Sequence, residues 1–253
     1  MTIAGSDPSG GAGIQADIKT FTLLGCYAQS VITSLTVQST FGVKKSVAVE
    51  ASLVEEQLDA VLSDWMPQVI KIGIVPNKEV AEVLVRCFRR YNISNIVFDP
   101  VLVASSGLQL VSDEACHLLF SELMPLCRLI TPNLPEAQHL LKTQSDDSVS
   151  LAQQLSKVLG HNTSVLVKGG HSDGNPVDVL CENGHIYKFS AQRIVTKNSH
   201  GTGCVLSSAI ASHLCKGTDL ATAVSKAKLF VTNALEKGKD YNTGRGTGPL
   251  YLL

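Results

Sequence analysis

Three things are missing from this sequence, and each narrows what the chain can be. There is no surplus of either charge: 21 basic against 22 acidic side chains leave a net charge of −1. Bulk electrostatics therefore offer nothing to nucleic acid or to an anionic membrane, and neither is expected as a partner. There is no run of about 18 apolar residues to span a bilayer, and no basic-then-apolar leader is read at the start. Among the seven cysteines (26, 87, 116, 127, 181, 204 and 215) there is no CxxC pair and no zinc spacing. An odd, scattered set reads as reduced thiols in a cytosol. What remains is a chain of 253 residues, 44% hydrophobic and only 17% charged, with enough apolar material for a sizeable core. No linker, repeat or low-complexity tract interrupts it. The expectation is a soluble cytoplasmic protein folded as one domain over residues 1–253.

The stretch around which the chain is organised is Asn198-Ser199-His200-Gly201-Thr202-Gly203-Cys204-Val205-Leu206-Ser207-Ser208. Two glycines close a turn, and a small-residue apolar run then predicts a buried helix from about Gly203 to Leu214. A helix start leaves N–H donors unpaired and carries the positive end of a dipole, so the turn suits an anion, most naturally a phosphate. Cys204 in that position is expected to have its thiol pKa lowered. Taken alone, the stretch also fits an ordinary loop-to-helix turn with a structural cysteine.

The rest of the chain reads as alternating strands and helices. Thr2-Ile3-Ala4 forms a short strand that runs into the glycine-dense turn Gly5 to Gly13 and then a helix carrying Ile14, Ile18, Phe21 and Leu24 on one face. The turn is neither a P-loop nor GxGxxG. Residues 27–37 predict a strand, and 46–50 a short edge strand. Ser52-Leu53-Val54-Glu55 has capping-box form and predicts a helix to about Trp65. Strands then follow at 69–72, 96–98, 129–131 and 164–167, with helices at 79–90, 113–122, 135–141 and 151–159. Val177–Cys181 and His185–Phe189 flank Asn183-Gly184 as a hairpin, and the last third predicts helices at about 203–215 and 219–237. The fold class is therefore α/β, with a central, mainly parallel sheet flanked by helices on both faces.

In such sheets ligands sit beyond the carboxyl ends of the strands. Those ends carry Gly5 to Asp7, Gln38, Lys71-Ile72-Gly73, Asp99-Pro100, Asn133 to Glu136, Lys168-Gly169-Gly170 and the Gly201-to-Cys204 turn. Together they form a rim suited to phosphoryl transfer, which needs donors around the migrating phosphate, a metal to spread charge and a group near the acceptor. Asp99 and Glu136 are suited to Mg²⁺, directly or through water. Lys168 has the reach for a transferring phosphate. Each also has a plainer reading: Lys168 as a solvated strand-end lysine, Glu136 as an acid at a helix N-terminus, Asp17 as a solvent-facing charge. His200 is assigned a positional role rather than acid–base chemistry.

The segments TIAGSDPSGGAGIQADIKTF, TPNLPEA, VLVKGGH and TKNSHGTGC resemble the hydroxymethylpyrimidine/phosphomethylpyrimidine kinases of thiamine biosynthesis, in order and from Thr2 to Pro249. More loosely, the chain is similar to pyridoxal kinases of the same ribokinase-like superfamily. The resemblance implies a ribokinase-like sheet, ATP and Mg²⁺, a small pyrimidine substrate, and a homodimer. By position it places Gly5, Asp17 and Gln38 at the pyrimidine pocket and Gly201, Thr202, Gly203 and Cys204 at the anion hole. It places Lys168, Asn133 and Glu136 at the ATP phosphates and metal waters, and Asp99 as the acid after the central strand. Gln38 offers a donor and an acceptor, which suits an aminopyrimidine edge; the similar pyridoxal kinases tend to be apolar there.

Two departures stand out. Ser105 occupies a covering-loop position where relatives often carry lysine, and Arg245 replaces a lysine between two glycines, keeping the charge but as a fork. Cys204 stands where many relatives have an aspartate base. A thiol tolerates both an alcohol and an anionic monophosphate as acceptor, whereas a carboxylate would repel the second. The alternatives kept open are a pyridoxal or pyridoxine kinase and a non-catalytic pyrimidine- or nucleotide-binding protein.

Overall fold

The computed structural model describes residues 1–104, 107–160, 162–170 and 174–252. Ser105, the covering-loop departure, lies outside the described residues. Nine strands form one sheet: β1 (Thr2–Ser6), β2 (Ser30–Ser39), β3 (Gly42–Ala48), β4 (Ile70–Ile72), β5 (Ile96–Phe98), β6 (Leu129–Ile130), β7 (Ser164–Val167), β8 (Val177–Glu182) and β9 (His185–Ser190). Their order across the sheet is β3-β2-β1-β4-β5-β6-β7-β8-β9. The six strands from β2 to β7 run parallel, while β3 and the β8–β9 hairpin add antiparallel margins. The hairpin turn is Asn183-Gly184, both with positive φ, as a two-residue turn matched to strand twist requires.

Helices cover both faces: α1 (Gly13–Leu23), α2 (Ala51–Asp64), α3 (Lys78–Arg90), α4 (Asp113–Leu118), α5 (Leu134–Leu141), α6 (Ser148–Leu159), α7 (Thr202–Cys215) and α8 (Leu220–Gly238). Because side chains alternate along a strand, Ile70, Ile72, Ile96, Phe98 and Ile130 pack with α2 to α6 on one face. Val97, Leu129 and Leu166 pack with α1, α7 and α8 on the other. α7 is buried from Val205 to Ser212 because its alanines and serines let α1 and α8 approach closely. No described helix is long and apolar enough to cross a membrane.

The Ser52–Glu55 capping box is not formed. Glu50 is the N-cap of α2 without a side-chain bond, and Ser52 lies inside the first turn. The edge strand also lies earlier than the alternation at 46–50 indicated, because its pairing with β2 carries it back to Gly42.

Candidate active site

Two glycine turns meet above the carboxyl ends of the strands. Gly201 takes φ +81° as the N-cap of α7, and a Cβ there would stand 1.8 Å from the Gly11 carbonyl oxygen. A Cβ on Gly11 would in turn fall 2.5 Å from His200 Cδ2. Only glycine allows the approach. Thr202 N–H turns back to the Ser199 carbonyl at 3.3 Å, and Val205 N–H begins the helical ladder on Gly201. Among the described residues no hydrogen bond takes up the N–H of Gly203 or Cys204. Two of the donors that the turn Gly201-Thr202-Gly203-Cys204 leaves over at the helix start are thus unpaired among the described residues.

Facing this turn are Asp99 and Lys168, at the ends of β5 and β7. The Lys168 ammonium donates to Asp99 Oδ1 at 2.5 Å and stands 4.0 Å from Glu136 Oε2. Thr131 Oγ1 also donates to Asp99 Oδ1, at 3.0 Å. Asp99 Oδ2 is buried and has no hydrogen-bond partner among the described residues. A Cβ on Gly203 would lie 3.4 Å from both Asp99 Oδ2 and Lys168 Nζ, which fixes how closely the pair abuts the start of α7.

Asn133 and Glu136 form a reciprocal capping box on α5: Asn133 Oδ1 accepts from the Glu136 N–H at 2.8 Å, and Glu136 Oε2 accepts from the Asn133 N–H at 2.7 Å. The plainer reading of Glu136 as a helix N-terminal acid therefore describes one of its oxygens. Burial pushes its carboxyl up to about 7; the ammonium of Lys168 opposes this, while the charge of Asp99 reinforces it. Asn133 spends its acceptor on the cap, leaving its amide nitrogen to offer an anion.

The thiol of Cys204 departs from expectation. Its pKa is raised, not lowered, because burial outweighs the Lys71 ammonium and the Gly13 N–H, and the carboxylates of Asp17 and Asp99 add to the rise. Half-buried at this helix start, Cys204 is held as a neutral thiol.

On the β1–β2 side, Gly5 is buried at a register shift, and a Cβ there would meet the Ser34 hydroxyl, which has no hydrogen-bond partner among the described residues, at 2.6 Å. Gln38 lies half-buried near the end of β2, its amide 3.0 Å from His200 Nε2. His200 Nε2 is also 2.9 Å from Asp7 Oδ2. Asp7, placed on the rim by its position after β1, accepts from Ser9 N–H and Oγ and from Ala12 N–H. Burial pushes its pKa up, but these bonds and the one to His200 outweigh it and hold the carboxyl at about 2.

Asp17 is not the solvent-facing charge of its plainer reading. It is fully buried, and its oxygens are taken by Lys71 at 2.9 Å to each, Thr2 Oγ1 at 2.6 Å and Ser208 Oγ at 2.7 Å. Lys71, read as part of the rim, points instead into the layer between β4 and α1, because strand alternation turns it away from Ile70 and Ile72. The signal was the lone lysine in an otherwise apolar central strand: such a charge requires a buried partner.

The described cavity of about 640 Å³ lined by Phe88, Asn95, Arg128 and Asn162 lies at the amino ends of β5, β6 and β7, away from all of these groups. Among the described residues no cluster of three His, Cys, Asp or Glu side chains could hold a metal unaided. The orphaned Asp99 Oδ2 beside Glu136 does fit Mg²⁺, which binds through one or two carboxylates, substrate phosphates and several waters.

The family model described as phosphomethylpyrimidine kinase matches residues 7–251. The hydroxymethylpyrimidine/phosphomethylpyrimidine kinase of Escherichia coli (strain K12) is 43% identical over 254 residues, covering 99% of this chain and 96% of that protein. The thiamine biosynthesis bifunctional protein ThiED of Geobacter sulfurreducens is 42% identical over 254 residues; the match covers 99% of this chain but spans only 51% of that longer protein. Among solved structures, the ADP complex of Bacillus subtilis pyridoxal kinase is similar with a TM-score of 0.89 at 29% identity, covering 98% of this chain and 95% of that one.

Proposed function

We propose, on the premise that this chain belongs to the phosphomethylpyrimidine kinase family, that it transfers a phosphoryl group from ATP to 4-amino-5-hydroxymethyl-2-methylpyrimidine and then a second to the monophosphate, in thiamine biosynthesis. The chain is a phosphotransferase. The observation that carries the reading is the Asp99–Lys168 pair, with one orphaned carboxylate oxygen, set against the open N–H groups at the start of α7. A migrating phosphoryl group between them would meet a cation on one side and a helix dipole on the other. Gln38 and Gly5, across the cleft, would hold the pyrimidine. Asp99 and Glu136 would hold Mg²⁺, which when bound spreads charge over the phosphate oxygens. Lys168, freed from Asp99 Oδ1 by such binding, would follow the phosphate. Cys204, kept neutral, would accept either the alcohol or the monophosphate beside it without repulsion.

Similarity to a pyridoxal kinase structure favours a second reading in which pyridoxal or pyridoxine is the acceptor. Gln38 and the 43% against 29% identity favour the pyrimidine. Kinase membership goes against the binding-only reading, which had only Ser105 behind it. The test is to incubate the protein with ATP, Mg²⁺ and hydroxymethylpyrimidine and follow products by mass. Diphosphate is expected; phosphorylation of pyridoxal alone would overturn the reading.

A homodimer is part of the proposal. Leu35, Val37 and Val47 are exposed together on one face of β2 and β3, an apolar patch at the sheet margin. Light scattering after gel filtration should give twice the chain mass. The free state of all seven cysteines agrees with a cytoplasmic setting.

A further inference from the structure

We infer that Asp7 and His200 fix which end of the Gln38 amide faces the ring of His200, and so fix the hydrogen-bond pattern that the substrate must present. The inference rests on Gln38 facing the pyrimidine. Two contacts of the Gln38 amide conflict with their neighbours. The structure points the Gln38 amide nitrogen at His200 Nε2, 3.0 Å away, while the same ring nitrogen is 2.9 Å from Asp7 Oδ2. A ring nitrogen that accepts from Gln38 carries no proton, and its lone pair would then face a carboxylate. Asp7 is held ionised by Ser9 and Ala12, so the proton between Asp7 and His200 has to sit on Nε2. On the other side, Thr36 Oγ1 stands 3.1 Å from Gln38 Oε1 and 3.0 Å from the Ser6 carbonyl oxygen. One hydroxyl proton cannot serve two acceptors.

Turning the amide by 180° resolves both conflicts. His200 Nε2–H is then shared between Asp7 and Gln38 Oε1, the Gln38 nitrogen donates to Thr36 Oγ1, and Thr36 donates to Ser6. Each of these four contacts then pairs one donor with one acceptor. One lone pair on Oε1 and one N–H on Nε2 remain for a ligand. They demand a donor beside an acceptor, as in a 4-amino group next to an unprotonated ring nitrogen. A 4-oxo pyrimidine presents the reverse. It cannot turn over to comply, because its hydroxymethyl group has to point at the phosphate. His200 is thus a positioning residue that acts through Gln38.

The experiment compares 4-amino- and 4-oxo-5-hydroxymethyl-2-methylpyrimidine, by calorimetric binding and by product mass, for wild type, His200→Ala and His200→Gln. Wild type should prefer the 4-amino compound. His200→Ala, which frees the amide, should lower that preference about 10- to 100-fold, through KM for the pyrimidine with kcat far less affected. His200→Gln, which can still donate to both Asp7 and Gln38, should restore most of it. An unchanged preference in His200→Ala would overturn the inference alone. A wild type that neither binds nor phosphorylates either pyrimidine would overturn the functional reading together with it. Nitrogen-15 shifts of the His200 ring in wild type give a second check that does not depend on any variant folding: an Nε2–H signature is expected, and the neutral Nδ1–H form would refute the arrangement.

Discussion

Lys168 Nζ lies 2.5 Å from Asp99 Oδ1, while the other oxygen of the same carboxylate is buried with no hydrogen-bond partner among the described residues. The pair is neutralised on one side and unsatisfied on the other. Such an arrangement costs stability unless something completes it.

Lys168→Met should therefore act twice. Leaving Asp99 buried without its cation should cost roughly 3 to 5 kcal/mol of stability, read by urea denaturation. Losing the cation beside the migrating phosphoryl group should cut kcat by about 100-fold or more, with a smaller change in KM for the pyrimidine.

Asp99→Asn keeps shape and removes the charge on the orphaned oxygen. Titration of activity with Mg²⁺ should show the half-saturating concentration rising about tenfold or more. A curve that superimposes on wild type would remove Asp99 from the metal site.

Cys204→Asp places a carboxylate where a neutral thiol now sits near Asp17 and Asp99. The second phosphorylation, whose acceptor is already an anion, should fall more than the first. Single-turnover measurements of the two steps decide this, and equal losses would reject the charge argument. Cys204→Ser sparing both would reduce the sulfur to a spacer.

Glu136 gives a pH dependence with a definite sign. Burial raises its folded-state pKa from 4.5 to about 7, so folding favours its protonated form. Its contribution to stability is full below its unfolded pKa and is lost as pH rises through about 7. Metal-free wild type should lose melting temperature across that interval relative to Glu136→Gln, in a pH series of thermal melts.

Asp17 and Lys71 are structural partners with no exposed surface. Lys71→Met should destabilise by roughly 3 to 5 kcal/mol, and adding Asp17→Asn should recover part of that loss. A double-mutant cycle in urea measures the coupling; additive losses would show that the pair does not act as a unit.

Much of this was legible in the residue order, because periodicity and turn chemistry are local. The Asn183-Gly184 hairpin, the short apolar strands and the small-residue helix after Gly201 all form as their spacing predicts. Ser52 was misread because a capping-box pattern is a local opportunity, and the path of the chain out of β3 sets the helix start two residues earlier. Asp7 was placed on the rim without a role because its importance depends on His200, 193 residues away.

The sequence by itself therefore determined the alternation of strands and helices, the glycines that permit close approach, and the donors and acids stationed at strand ends. Tertiary structure alone decided what those groups became. It turned Asp17 and Lys71 inward, raised the Cys204 thiol where a helix start suggested lowering it, and joined Asp7 to Gln38 through His200. The physical reason is that periodicity and backbone geometry are properties of neighbours in the chain, whereas burial, pairing and protonation depend on which distant elements share a low-dielectric space.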